Sequence, residues 1–159
     1  MTPARWIASG GGSGFFPVAP GTAGSVVGAA LGAALLAISP WLLGGAVLAT
    51  ILGGTVATQS ATGMGWLGAS KGEHDDPGWI VIDEFAGQMI ALLALPRPSW
   101  GGVALAFVLF RLFDIAKPGP IGWMDRQGGA TGVMGDDVLA GIAAAVLVAV
   151  AHWFAPAFI

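Results

Sequence analysis

TAGSVVGAALGAALLAIS (residues 22–39), then Pro40, then WLLGGAVLATILGGTVAT (residues 41–58) contain no Lys, Arg, Asp or Glu. Each run approaches the ~20 apolar residues that carry an α-helix across a bilayer core. The single proline between them leaves only a short connection, which predicts two antiparallel neighbours. The charge-free region extends further, from Trp6 to Ser70. Over all 159 residues the chain is 55% hydrophobic and 9% charged, whereas a soluble domain carries about 25% charged residues. So apolar a surface must face lipid. There the backbone has to satisfy its own hydrogen bonds, which selects helices. The 27 glycines lie among Ala, Val and Leu, as suits close helix contacts in a membrane.

The expected fold is therefore an all-α, polytopic membrane bundle forming one domain over residues 1–159. It has about five helices, short or interfacial ones included. After the first two, helices are predicted over about residues 79–95, 100–116 and 136–154. Residues 1–21 are too broken by Gly and Pro for a long helix and read as an interfacial segment or loop. If the five helices alternate, residues 1–21, 59–78 and 117–135 share one face, with Arg5, Lys71, Arg111, Lys117 and Arg126. Arg97 lies opposite. Excess basic residues mark the cytoplasmic side.

Composition excludes other classes. With no cysteine, there is no thiol or disulfide chemistry. A net charge of -3 without a basic tract argues against nucleic-acid binding.

The polar residues gather in islands. FRLFDIAKPGPIGWMDRQGGATGVMGDD (110–137) holds seven of the six basic plus nine acidic residues. Arg111, Asp114 and Lys117 are three apart and so share related helix faces. Asp83 and Glu84 sit in an apolar stretch, where ionised groups are costly unless hydrated, paired or metal-bound. As neighbours they point about 100° apart, so one is expected to bind a metal and the other to organise its surroundings. With Asp125, Asp136 and Asp137 they offer oxygen ligands of the kind Mg²⁺ prefers, and Arg111 and Lys117 offer phosphate donors. In PGTAGS (20–25), Gly21 permits a tight turn and Thr22 or Ser25 is placed to cap the following helix, whose first amides would face an anion. In KGEHD (71–75), His74 suits proton transfer or phosphate contact. Each island also has a plain reading: a membrane boundary, a salt-bridged helix end, a cap, acids at a helix start or a solvated histidine. His152, in the apolar last helix, reads as structural.

Four of these islands together resemble the bacterial phosphatidylglycerophosphatase A family: GSGFFPVAPGTAGS (12–25), HDDPGWIVIDEFAGQMI (74–90), FRLFDIAKPGPI (110–121) and DRQGGATGVMGDDVLAG (125–141). The resemblance implies a multi-pass, Mg²⁺-dependent lipid phosphatase of the bacterial cytoplasmic (inner) membrane with its site facing the cytoplasm. The substrate would be phosphatidylglycerophosphate and the products phosphatidylglycerol and inorganic phosphate. It carries catalytic roles onto His74, Asp83, Glu84, Asp114, Asp125, Asp136 and Asp137. Metal binding is expected of Asp83, Glu84, Asp114, Asp136 and Asp137, and phosphate binding of Gly21, Thr22, Ser25, Arg111 and Lys117. One departure stands out: KPGP (117–120) replaces the family's usual Lys-Pro-Trp-Pro, removing an aromatic wedge from the turn. The competing readings are a small membrane transporter, for which no inverted repeat is visible, and another phospholipid-processing enzyme. A nucleotide-dependent phosphoalcohol transferase would need a D-G-x-x-A-R-like motif, which is absent.

Overall fold

A computed structural model describes residues 1–67, 77–156 and 159 of the chain. Among the described residues the fold is entirely helical: α1 (Pro3–Ala8), a 3-10 turn (Ser13–Phe15), α2 (Pro20–Ile38), α3 (Pro40–Thr62), α4 (Ile82–Leu92), α5 (Trp100–Ala116), α6 (Pro120–Asp125) and α7 (Gly129–Phe154). The two opening runs become α2 and α3, broken where predicted. Ser39 ends one helix and caps the next, its hydroxyl accepting from the Trp41 amide at 3.2 Å. By length and composition, α2, α3 and α7 can each cross a membrane.

The predicted crossing over 79–95 needs correction. It is α4, with only 11 residues, about 16 Å of rise against a hydrocarbon core of about 30 Å. Its start is delayed because the Val81 amide donates to the Ala8 carbonyl at 3.0 Å, holding the preceding chain against α1. Pro96 and Pro98 follow its end. What it lacks in length it makes up in burial: every one of its eleven residues except Glu84 lies inside the bundle between α2, α3, α5 and α7.

Close glycine contacts fix the register around α4. A Cβ on Gly24 of α2 would meet Val81, one on Gly28 would lie 3.0 Å from the Phe85 Cα, and one on Gly32 would meet Met89 and Leu92, so these helices run parallel and touch closely. Gly87 of α4 packs on Phe110 of α5, and Gly102 of α5 on Leu95 just past α4, which is antiparallel pairing. Gly87 also meets Gly141 of α7 backbone to backbone. Propagating these contacts one turn brings Asp83 level with Asp114 and Asp137.

The last helix also differs from expectation. It begins at Gly129, two turns before Asp136, so Asp136 and Asp137 do not open it and helix-end electrostatics do not account for them. The early start has a local cause. The Ala130 and Thr131 amides, which an isolated helix would leave without partners, donate to the carbonyls of Gly65 and Trp66 at 3.0 and 3.1 Å. On the face remote from the acids, Trp41, Trp100 and Trp153 are 88%, 95% and 82% exposed, as in an interfacial aromatic belt. His152 has a structural partner, the Ile159 carbonyl, 3.0 Å from its Nδ1.

Candidate active site

Three helix ends, the starts of α2 and α4 and the end of α5, converge with the third turn of α7 on one face of the bundle. At their centre Asp83, Glu84 and Asp137 each place one carboxylate oxygen so that all three lie within 4.8 Å of one another. Asp83 and Asp137 are 5% and 4% exposed. Adjacency along α4 does not separate Asp83 from Glu84, because Asp137 approaches from a third direction on α7. Among the described residues, Glu84 Oε2 is buried without a hydrogen-bond partner. Three mutually repelling carboxylates, one with an orphan oxygen, form a donor set suited to a hard divalent cation.

Gly21 explains how Glu84 finds room. A Cβ there would collide with Glu84 Oε1, so the glycine at the start of α2 admits the carboxylate. The expected caps do not form. The helix starts at Pro20, behind Ala19 in a left-handed conformation (φ 50°), with no side-chain cap. The Ser25 hydroxyl instead donates to the Gly21 carbonyl at 2.9 Å and accepts from Arg111 Nη1 at 3.4 Å. Starting one turn earlier than the hydroxyls require leaves the first amides of α2 without side-chain acceptors. Thr22 is half-buried beside them.

The same Arg111 nitrogen pairs with Asp114 Oδ2 at 2.5 Å, one turn along α5. Asp114 in turn lies close enough to Glu84 and Asp137 for their charges to interact. Lys117 forms a second ion cluster: Nζ is 2.5 Å from both Asp125 Oδ1 and Asp136 Oδ2. It adopts a left-handed φ of 44° at the end of α5, and that turn aims its side chain back between α6 and α7. Burial pushes the Lys117 ammonium down, but the hydrogen bonds and charges of Asp125 and Asp136 outweigh it and hold the group above its ordinary range.

Thus the described candidates all meet at one end of the bundle, but in three groups. Of the five expected metal ligands, Asp83, Glu84 and Asp137 converge, Asp114 is engaged by Arg111, and Asp136 by Lys117. His74 lies outside the described residues. Three residues escaped the sequence reading. Gly87 and Gly141 set the α4–α7 distance, one turn from Asp83 and Asp137. Gln88, four residues after Glu84 and fully buried, has neither amide atom bonded among the described residues; its i+4 spacing from Glu84 was the available signal.

The chain matches the family model described as Phosphatidylglycerophosphatase A over residues 6–152. It is 41% identical over 154 residues to a phosphatidylglycerophosphatase A of Escherichia coli strain K12, covering 94% of this chain and 84% of the relative. A protein of the same name from Haemophilus influenzae is 41% identical over 158 residues, with 96% and 91% covered. A protein of Bacteroides thetaiotaomicron, provisionally named a phosphatidylinositol-3-phosphatase, is 42% identical over 153 residues, with 92% of each chain covered. No solved structure matches the chain.

Proposed function

The chain belongs to the phosphatidylglycerophosphatase A family, and from that membership we propose that this membrane phosphatase hydrolyses phosphatidylglycerophosphate to phosphatidylglycerol and inorganic phosphate, using Mg²⁺ at the cytoplasmic face of the inner membrane. The observation that carries the site assignment is the convergence of the Asp83, Glu84 and Asp137 oxygens within 4.8 Å, beside the Arg111–Asp114 pair.

Asp83, Glu84 and Asp137 would hold the ion, and Glu84 Oε2, without a partner among the described residues, supports that fit. Bound there, Mg²⁺ would supply positive charge to a phosphoryl oxygen and make nearby water more acidic. Arg111 and the uncapped first turn of α2 orient the outer phosphate oxygens, the guanidinium fork giving direction and the amides matching an anion. Asp114 fixes the fork. Lys117, steadied by Asp125 and Asp136, keeps a second positive charge at this end of the bundle. Water forms the new bond to phosphorus as the bond to the glycerol oxygen breaks. His74 or one of the remaining acids gives that oxygen its proton, yielding the alcohol of phosphatidylglycerol. The basic residues Arg5, Arg111, Lys117 and Arg126 lie toward the site's end of the bundle, which supports a cytoplasmic orientation.

The Bacteroides relative, as similar as the other two, supports a second reading in which the phosphate sits on an inositol lipid. Purified protein assayed for phosphate release from phosphatidylglycerophosphate, phosphatidic acid and phosphatidylinositol 3-phosphate, with Mg²⁺ or chelator, separates them. Mg²⁺-dependent release chiefly from the first is expected; preference for the inositol lipid would replace the substrate assignment, and release from none would remove the enzyme reading.

A further inference from the structure

A groove of about 660 Å³ runs between α2 and α5 on the outside of the bundle. Val26, Ala30 and Ala33 form one wall, and Val103, Ala104 and Phe107 the other. It has one polar side chain, Ser99, whose hydroxyl is already occupied by the Gly102 amide at 3.0 Å. Its lower end lies at Trp100, on the face remote from the acids. Its upper end lies at Val26 and Val108, immediately below the contact between Ser25 and Arg111. Between Trp100 and Val108 α5 rises about 12 Å, so the groove extends from the candidate phosphate site into the depth of the bilayer.

We propose that this groove seats one acyl chain of the diacyl phosphomonoester substrate while Arg111 engages its phosphate. The inference rests on the lipid-phosphatase reading and deepens it. Three observations select the occupant. The groove lies along α2, a helix long and apolar enough to cross a membrane, which sets its walls beside hydrocarbon. It opens at the residue that reads the phosphate, so a lipid bound there already has its chains at the groove's mouth. A second copy of the protein packed between α2 and α5 would cover this lateral approach to Arg111. Moving a chain from lipid into an apolar groove yields no hydrophobic gain, because lipid tails are as apolar as the walls. What the groove supplies is orientation: a seated chain fixes the glycerol backbone relative to Arg111.

Ala30 and Ala104 are exposed on the walls, so a larger side chain fills the groove without entering the core. Phosphate release by Ala30→Phe and Ala104→Phe is compared with wild type on dioleoyl- and dihexanoyl-phosphatidylglycerophosphate in the same detergent. The expected result is a loss of at least fivefold in kcat/KM on the dioleoyl lipid and less than twofold on the dihexanoyl lipid, whose chains are too short to follow the groove. Equal losses on both, or no loss on either, overturn the proposal. A second readout does not depend on turnover: dioleoyl-type substrate carrying a diazirine in one chain is photolysed with wild type and the adduct mapped. Labelling of residues 26–33 and 98–108 that excess unlabelled substrate suppresses is expected. Labelling spread equally onto the lipid face of α3, around Leu48 and Leu52, overturns it. Efficient disulfide formation between copies of Ala104→Cys, a unique thiol in this cysteine-free chain, would assign the groove to a second copy instead. If groove labelling persists while wild type releases no phosphate, the hydrolase reading fails and the lipid seat stands.

Discussion

Replacing Gly141 by Ala adds one methyl group at the point where α7 touches α4, one turn from Asp137. That methyl would lie 2.8 Å from the Gly87 Cα and 3.0 Å from its carbonyl carbon, and would collide with the carbonyl oxygen. Carbon pairs pack best at about 3.5–4.0 Å, so the helices must part by roughly 0.7 Å. All of the obstructing atoms are backbone, and no side-chain rotation relieves them. Overpacking of this kind costs about 1–3 kcal/mol. Parting the helices also draws Asp137 on α7 away from Asp83 and Glu84 on α4, and a misplacement on the order of 1 Å can lower a rate about 100-fold. Gly53 is the control: nothing lies within 4 Å of a Cβ there, so Ala should be neutral or stabilise α3 by about 0.5–1 kcal/mol. Thermal unfolding in detergent and Mg²⁺-dependent phosphate release are measured on both variants. Gly141→Ala with wild-type Tm and turnover would refute the claim that this backbone contact positions the carboxylates.

Asp114→Asn should leave folded protein in the membrane yet nearly abolish phosphate release, because Arg111 loses its ionic partner; near-wild-type turnover in the folded variant removes Asp114 from the mechanism. Lys117→Met should raise KM for the lipid more than it weakens Mg²⁺ binding, and unchanged lipid kinetics would reject a phosphate role. The folded-state pKa of Lys117 is raised, so its stabilisation is present in full below its ordinary value of 10.5 and is lost only as pH rises through the higher folded value. The Tm deficit of Lys117→Met should accordingly be the same at about pH 7 and about pH 9; a deficit that shrinks between them would contradict the paired ammonium. Gln88→Met removes two unbonded buried amide atoms and should stabilise the fold by about 1 kcal/mol. A lower Tm would mean that Gln88 has a partner.

The sequence exposed what local chemistry dictates. The charge-free runs before and after Pro40 define α2 and α3, and the polar islands contain Asp83, Glu84, Asp114, Asp137 and Arg111, which share one face. It concealed what depends on distant contacts. Nothing within residues 79–95 announces that a hydrogen bond from Val81 to Ala8 delays α4. Nothing within GGATGVMG (128–135) announces that carbonyls of Gly65 and Trp66 start α7 two turns early. The division of the charges was equally hidden. Lys117 bonds Asp125 and Asp136, eight and nineteen residues away, because the left-handed turn at its own position and α6 bring them together. The expected capping by Thr22 or Ser25 failed for a similar reason: Pro20 starts the helix first, and Ser25 serves Gly21 and Arg111.

Divalent-ion binding tests the account at its centre. Mn²⁺, observed by electron paramagnetic resonance as it is titrated into purified protein with Mg²⁺ as competitor, reports occupancy without requiring turnover. Wild type should bind the ion competitively with Mg²⁺, and Asp83→Asn, Glu84→Gln and Asp137→Asn should each weaken binding at least tenfold while remaining folded. Undiminished Mn²⁺ binding in all three folded variants would contradict the assignment of these carboxylates as the metal centre.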